Sequence, residues 1–284
     1  MSLRTRARNR AGRLWSYRWR TRSYVSSERP IVIGGSPRSG TTLLRRILDS
    51  HSRICSGPES GLFLPGRVSV EMLERGYGLE ADQIRMMLRS SGSQAEFVEW
   101  FFRTYRERQG KPRWSEKTPL NVWHLDWIWK HFPEASFVHV IRDGRDVACS
   151  MRLHPDRHLV QGRIVEVRRD ESMAAIIQRW VVSTGKGLKF RGDPRYREVR
   201  YEDLVTRPRE TLEPLLESIG EPFEQRMLAE RADGEVIRRG AEFDAKGALV
   251  ASSVGRWQHD LSPADIELVE RLGGPRLREL GYPL

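Results

Sequence analysis

Pro30-Ile31-Val32-Ile33-Gly34-Gly35 runs straight into Ser36-Pro37-Arg38-Ser39-Gly40-Thr41-Thr42, and the reading of this stretch decides the fold. The apolar run ends in glycines, and Thr41 to Ser50 then carries Leu43, Leu44, Ile47 and Leu48 at helical spacing. The order is strand, loop, helix. Gly35 and Gly40 have the Gly-x4-Gly spacing of a phosphate-binding loop, placed where such a loop must sit. In that position successive backbone N–H groups and the positive end of the helix aim at an anion. Thr41 stands where a nucleoside triphosphatase carries Lys, while a cation appears upstream at Arg38. The missing Lys weighs against ATP hydrolysis and phosphoryl transfer, which use it on the β and γ phosphates.

Val138-His139-Val140-Ile141-Arg142-Asp143-Gly144-Arg145-Asp146-Val147 repeats the pattern, a buried strand running directly into a helix. Ligands of open parallel sheets bind outside the carboxyl ends of the strands, so Arg142 at a strand end and Ser150 two helical turns later can hold a second phosphate. Two anion cradles on one sheet indicate a ligand with two separate phosphate groups. Elsewhere the pattern predicts a short strand over 53–56, mostly helix over 67–110, and helices over 122–132, 143–151, 171–190, 208–219 and 263–272. It also predicts a strand over 197–201, a mobile loop over 153–170 and an irregular stretch over 233–260. Strands alternating with helices give an α/β class, a three-layer fold like that of P-loop nucleoside triphosphatases with a central parallel sheet flanked by helices.

Taken together, Ser36 to Leu44 and Val140 to Ser150 resemble two motifs of the sulfotransferases that use 3′-phosphoadenosine 5′-phosphosulfate (PAPS), their 5′-phosphosulfate loop and their 3′-phosphate motif. Glu116-Lys117-Thr118-Pro119, Arg200-Tyr201-Glu202-Asp203-Leu204 and Ser253-Val254-Gly255-Arg256-Trp257 extend the resemblance, in order, over about residues 30 to 284. The resemblance implies sulfuryl transfer from PAPS to an acceptor hydroxyl, leaving adenosine 3′,5′-bisphosphate, with no metal required. It places Arg38, Ser39, Gly40, Thr41 and Thr42 on the 5′-phosphosulfate and gives Arg38 a share in stabilising the transferring group. Gly57-Pro58-Glu59-Ser60 falls where the protein-tyrosine sulfotransferase branch carries its catalytic Glu, which makes Glu59 the expected base. Lys117 matches a lysine that contacts the sulfuryl group, and Glu116 is expected to orient Lys117 or Arg38. Arg142 and Ser150 are implied at the 3′-phosphate and Tyr201 near the adenine, with Ser253, Arg256 and Trp257 closing over the nucleotide.

The net charge of +11 is unevenly spread, and that excludes one reading of the basic pI. Residues 1–29 hold nine Arg against the single acid Glu28, so the remaining chain carries only +3. The organisation expected is a basic arm over 1–29 followed by a single domain over 30–284. The arm, interleaved with Trp15, Tyr17, Trp19 and Tyr24, suits weak contact with an anionic membrane or a partner. No specific nucleic acid partner is expected of the body. Trp and Phe on the helices of 97–129 are candidates for a homodimer face. Two cysteines, Cys55 and Cys149, make no disulfide scaffold, and a cytoplasmic enzyme is expected. His154 and His158 are four apart, but Pro155 between them breaks the helix that would make them a chelating pair. The segments 60–112 and 153–168 are expected as lids whose arginines suit an anionic or polar acceptor, be it a glycan, a lipid, a secondary metabolite or a tyrosyl side chain. Two rivals stand beside this reading. One is a P-loop kinase with a degenerate Walker motif and Asp143 for magnesium; the other is a nucleic-acid-binding protein acting through its arm.

Overall fold

The computed structural model describes residues 23–66, 68–153, 156–160, 163–167, 171–228 and 253–284. Ile31–Gly35 forms β1, whose branched residues Ile31, Val32 and Ile33 are wholly buried, as the middle strand of a parallel sheet requires. It lies between β3 (Arg113–Lys117) and β4 (Ser136–Ile141), with β2 (Ile54–Ser56) outside β3 and the strand Tyr196–Arg200 outside β4. All four pairings are parallel. The register sets Ile33 beside Lys117, Gly35 beside Val140 and Ile141 beside Arg200. The strands therefore release their loops along one edge.

Helices cover both faces of this sheet. On one, Leu43, Leu44, Ile47 and Leu48 of α1 (Thr41–Asp49) pack with Ile31, Ile33, Val138 and Val140. On the other, Val32 and Phe137 meet Phe97, Phe101 and Phe102 of a later helix, Gln94–Arg108. A third cluster joins the helices Gly144–Leu153, Met173–Leu188 and Pro263–Glu279 around Trp180 and Val269. This is the three-layer, P-loop-like α/β architecture expected from the sequence, and most helices fall where their periodicity puts them.

Four expectations change. Arg113-Trp114-Ser115-Glu116-Lys117 is a strand that no apolar run announces; its place is fixed from outside, by pairing on both edges and by Trp114 stacking on Phe102 with ring centroids 4.5 Å apart. The loop expected over 153–170 contains an antiparallel pair, Asp156–Val160 with Arg163–Val167, consistent with the branched residues of both segments and the two-residue connection between them. The last helix runs past Leu272 to Glu279 because Gly273 lets it close on Ile177, where an added Cβ would already sit 3.1 Å from the side chain. The homodimer face expected from Trp and Phe over 97–129 narrows: Phe97, Phe101, Phe102 and Trp129 are buried in the chain's own core, while Trp123 stays 40% exposed.

Residues 23–29, grouped by sequence with the basic arm, lie along the body. The Tyr24 hydroxyl donates to Glu99 Oε2 at 2.9 Å, Ser26 N donates to the His131 carbonyl, and Glu28 accepts from Arg106 and from Trp114 Nε1. Residues 1–22, and 229–252 of the irregular stretch, lie outside the described residues. Among the described residues no helix is long and apolar enough to cross a membrane.

His139 sits inside the sheet, fully buried, with Nδ1 hydrogen-bonded to the Tyr196 hydroxyl at 2.5 Å. Burial pushes its imidazole down to about 4. Between that value and the ordinary 6.5 the unfolded chain binds the extra proton and the folded one does not, so stability is lost as pH falls through this window. Wild type is expected to lose about 3 kcal/mol more than His139→Gln between pH 6.5 and 4, read from urea midpoints at each pH.

Candidate active site

The loop between β1 and α1 is shaped by residues without room for side chains. Gly40 has φ of 93°, and a Cβ there would lie 2.3 Å from Tyr201 Cδ2. Arg38 has φ of 70°, the one non-glycine residue with positive φ among the described residues. The first helical bond of α1 runs from Leu44 N to Gly40 O, and neither a side-chain cap nor an acidic residue occupies its first turn. The amides ahead of Leu44 are thus left for an anion. Ser39 Oγ, buried beside them, has no hydrogen-bond partner among the described residues.

Arg142, at the end of β4, reaches the same loop. Its Nη1 donates to Arg38 O at 3.1 Å and its Nη2 to Ser253 O at 2.5 Å. Its guanidinium carbon lies 4.2 Å from the centroid of the Tyr201 ring, and its Nε is buried without a hydrogen-bond partner among the described residues. Ser150 accepts from Arg38 Nε at 3.1 Å. The structure therefore brings Arg38, Arg142, Ser150, Tyr201 and the backbone of Ser253 together. It engages the other two expected residues elsewhere: Arg256 pairs with Asp260 at 2.5 Å, and the Trp257 indole lies 4.0 Å from the Arg145 guanidinium.

The second group gathers at the end of β3. Lys117, 3% exposed, donates to Glu59 Oε1 at 2.6 Å and to Thr42 Oγ1 at 3.2 Å. Burial lowers the pKa of its ammonium, and the neighbouring Glu59 carboxylate opposes that shift. Glu59 itself keeps 53% of its side chain exposed, so a base here is open to an incoming molecule. Thr42, in the first turn of α1, joins this pair to the phosphate loop.

Glu116 is corrected. Strand alternation turns it away from Lys117, and it binds neither that residue nor Arg38. Its Oε1 accepts from Ser60 Oγ at 2.7 Å and from Thr118 Oγ1 at 2.6 Å, and its Oε2 accepts from Asn121 Nδ2. Burial pushes its carboxyl up, and these hydrogen bonds oppose the shift. Two of its partners are chain neighbours of the Glu59–Lys117 ion pair, Ser60 next to Glu59 and Thr118 next to Lys117. Sequence reasoning passed over Ser60, Thr118 and Asn121, for which the one available signal was a charged residue inside a segment that must cross the sheet. Among the described arginines of the segment 60–112, expected as a lid, Arg75 pairs with Glu71, Arg85 with Asp82, Arg103 with Glu99 and Arg106 with Glu28, while Arg108 donates to Gly78 O.

Glu116→Leu leaves three side-chain donors and the Ser60 N–H without their acceptor and is expected to cost about 3 kcal/mol of unfolding free energy, against about 1 for Glu116→Gln. Urea titration of the two variants checks this.

Compared with known proteins, residues 30–225 match the family model described as "Sulfotransferase family". The chain is 27% identical over 221 residues to the protein-tyrosine sulfotransferase of Drosophila melanogaster, covering 74% of this chain but only 41% of that protein's length. Two solved structures share the fold. The sulfotransferase domain of the Synechococcus PCC 7002 olefin synthase has a TM-score of 0.64 at 22% identity, over 93% of this chain and 98% of that one. A mouse sulfotransferase complexed with PAP has a TM-score of 0.52 at 14% identity, over 90% of this chain and 86% of that one.

Proposed function

The chain belongs to the sulfotransferase family, and we propose that it transfers a sulfuryl group from PAPS to an acceptor hydroxyl, releasing adenosine 3′,5′-bisphosphate without a metal. The observation that supports this most directly is the pair of buried polar atoms without partners among the described residues, Ser39 Oγ and Arg142 Nε, in two anion cradles on one sheet edge. A nucleotide phosphorylated at both 5′ and 3′ ends fits that pair. The amides of the loop, Ser39, Gly40, Thr41 and Thr42, take the 5′-phosphosulfate together with Arg38. Arg142 and Ser150 take the 3′-phosphate, Ser150 giving up its bond to Arg38. Tyr201 lies against the adenine, and Ser253, Arg256 and Trp257 belong to the segment that closes over the nucleotide.

Glu59 accepts the proton of the acceptor hydroxyl. The acceptor oxygen bonds to sulfur as the bond from sulfur to the 5′-phosphate oxygen breaks, and the electron pair leaves on that phosphate. Lys117, held between Glu59 and Thr42, supplies positive charge next to the leaving oxygen. Acceptor and compartment stay within the sequence expectation: a hydroxyl on a glycan, lipid, secondary metabolite or tyrosyl side chain, in the cytoplasm. The similarity to a protein-tyrosine sulfotransferase supports a tyrosyl hydroxyl among these acceptors. The kinase alternative loses its magnesium ligand, since Asp143 is bound by Arg145 through both oxygens.

Calorimetric titration without magnesium tests the donor. Adenosine 3′,5′-bisphosphate is expected to bind at micromolar Kd and ATP weakly or not at all; magnesium-dependent ATP binding with no bisphosphate binding refutes the reading. Arg142→Ala is expected to weaken the bisphosphate by about tenfold or more. Glu59→Gln should keep that affinity and lose about 100-fold or more in transfer of labelled sulfate from PAPS to a panel of phenolic, peptide and glycan acceptors.

A further inference from the structure

The helix that follows Arg142, Gly144–Leu153, buries two charged side chains in its first turn, Arg145 at 2% exposure and Asp146 at 1%. Neither was assigned a role by the two-cradle reading. Asp146 Oδ2 accepts from Gly255 N at 2.8 Å and Oδ1 from Trp257 N at 3.0 Å. One carboxylate thereby holds two backbone amides of a segment 109 and 111 residues further along the chain. Gly255, at φ of 71° with open space where a Cβ would be, supplies the turn that brings both amides to the same side. Arg145 adds a grip on the same stretch, its guanidinium over the Trp257 ring, and is itself fixed by Asp143 and by Glu270 at 3.1 Å. Arg142 completes the hold through the Ser253 carbonyl.

A buried carboxylate beside a phosphate site opposes anion binding by simple repulsion. Burial raises the carboxyl's pKa and Arg142 opposes the shift, so the group lies within the field of the arginine that meets the phosphate. Its placement makes sense as a clamp. With both oxygens on the amides of Gly255 and Trp257, it fixes the position of Ser253, and Ser253 in turn fixes one arm of the Arg142 fork.

We infer that Asp146, supported by Arg145, is the positioning residue of the 3′-phosphate site: it holds segment 253–257 so that Arg142 is aimed, and preference for 3′-phosphorylated nucleotides depends on it although it does not touch the nucleotide. The inference rests on the PAPS reading above.

The test compares adenosine 3′,5′-bisphosphate, by calorimetry, with adenosine 5′-monophosphate, by ligand-observed NMR at millimolar concentration, on the full chain. Asp146→Ala removes both acceptors. Asp146→Asn keeps one and leaves the fold less disturbed. Bisphosphate affinity is expected to fall about 30-fold in the alanine variant and about fivefold in the asparagine variant, with monophosphate affinity unchanged and one site per chain retained. A merely structural role lowers melting temperature or the number of binding sites, or weakens both nucleotides by the same factor. Any of these without a change in the ratio of the two affinities overturns the inference, as does an Asp146→Asn variant with wild-type bisphosphate affinity. Failure of the underlying reading looks different, because wild type itself then shows no preference for the bisphosphate.

Discussion

No side chain fits at the carboxyl end of β1, and the site depends on that constraint. At Gly34 a Cβ would lie 2.7 Å from the Phe137 ring, at Gly35 2.4 Å from the Val140 carbonyl oxygen, and at Gly40 2.3 Å from Tyr201. These contacts draw β1, β4 and the start of the helix Tyr201–Thr206 together at one point. The loop has nowhere to go except across the sheet edge, with its amides outward. Arg142 and Tyr201 are then part of the same wall, since each touches the loop from a different strand end.

The sequence was most legible where burial is achieved with apolar residues. β1 and β4 announce themselves because both faces are covered and both read as branched runs; the helix after each shows its apolar stripe. β3 did not, because three of its five residues are Arg, Glu and Lys and their burial is compensated by partners that sequence cannot display. The Ser60, Thr118 and Asn121 contacts of Glu116 join residues from two to 56 positions apart. The contacts of Arg256 and Trp257 with Asp260 and Arg145 were illegible in the sequence for a similar reason. Motif order put them near the nucleotide, but the packing of Arg145 decides which way the indole faces.

The two halves of the site differ in how they hold their charges. Glu59 and Lys117 form an ion pair with one member buried and the other half open to solvent, an arrangement in which the pair can separate at modest cost. Arg38 is instead held by Ser150, a residue of the opposite cradle. The cation proposed for the transferring group and the hydroxyl proposed for the 3′-phosphate are thus bonded to each other. On that proposal a ligand with a phosphate at each end satisfies both in one event, while a ligand with only one leaves the other without its partner.

Glu116 and Lys117 are neighbours on one strand with opposite surroundings, the first enclosed among hydroxyls and an amide, the second facing Thr42 and Glu59. Strand geometry alone separates them. Slippage of β3 by a single position would send the lysine into the enclosure in one direction or the acid toward the phosphate loop in the other, so that either way one set of partners met the wrong charge and the other lost its own. The order of these two letters in the sequence therefore acts as a parity check on the folding of the sheet, rejecting the misaligned strand by electrostatics where the weak apolar content of Arg113–Lys117 could not.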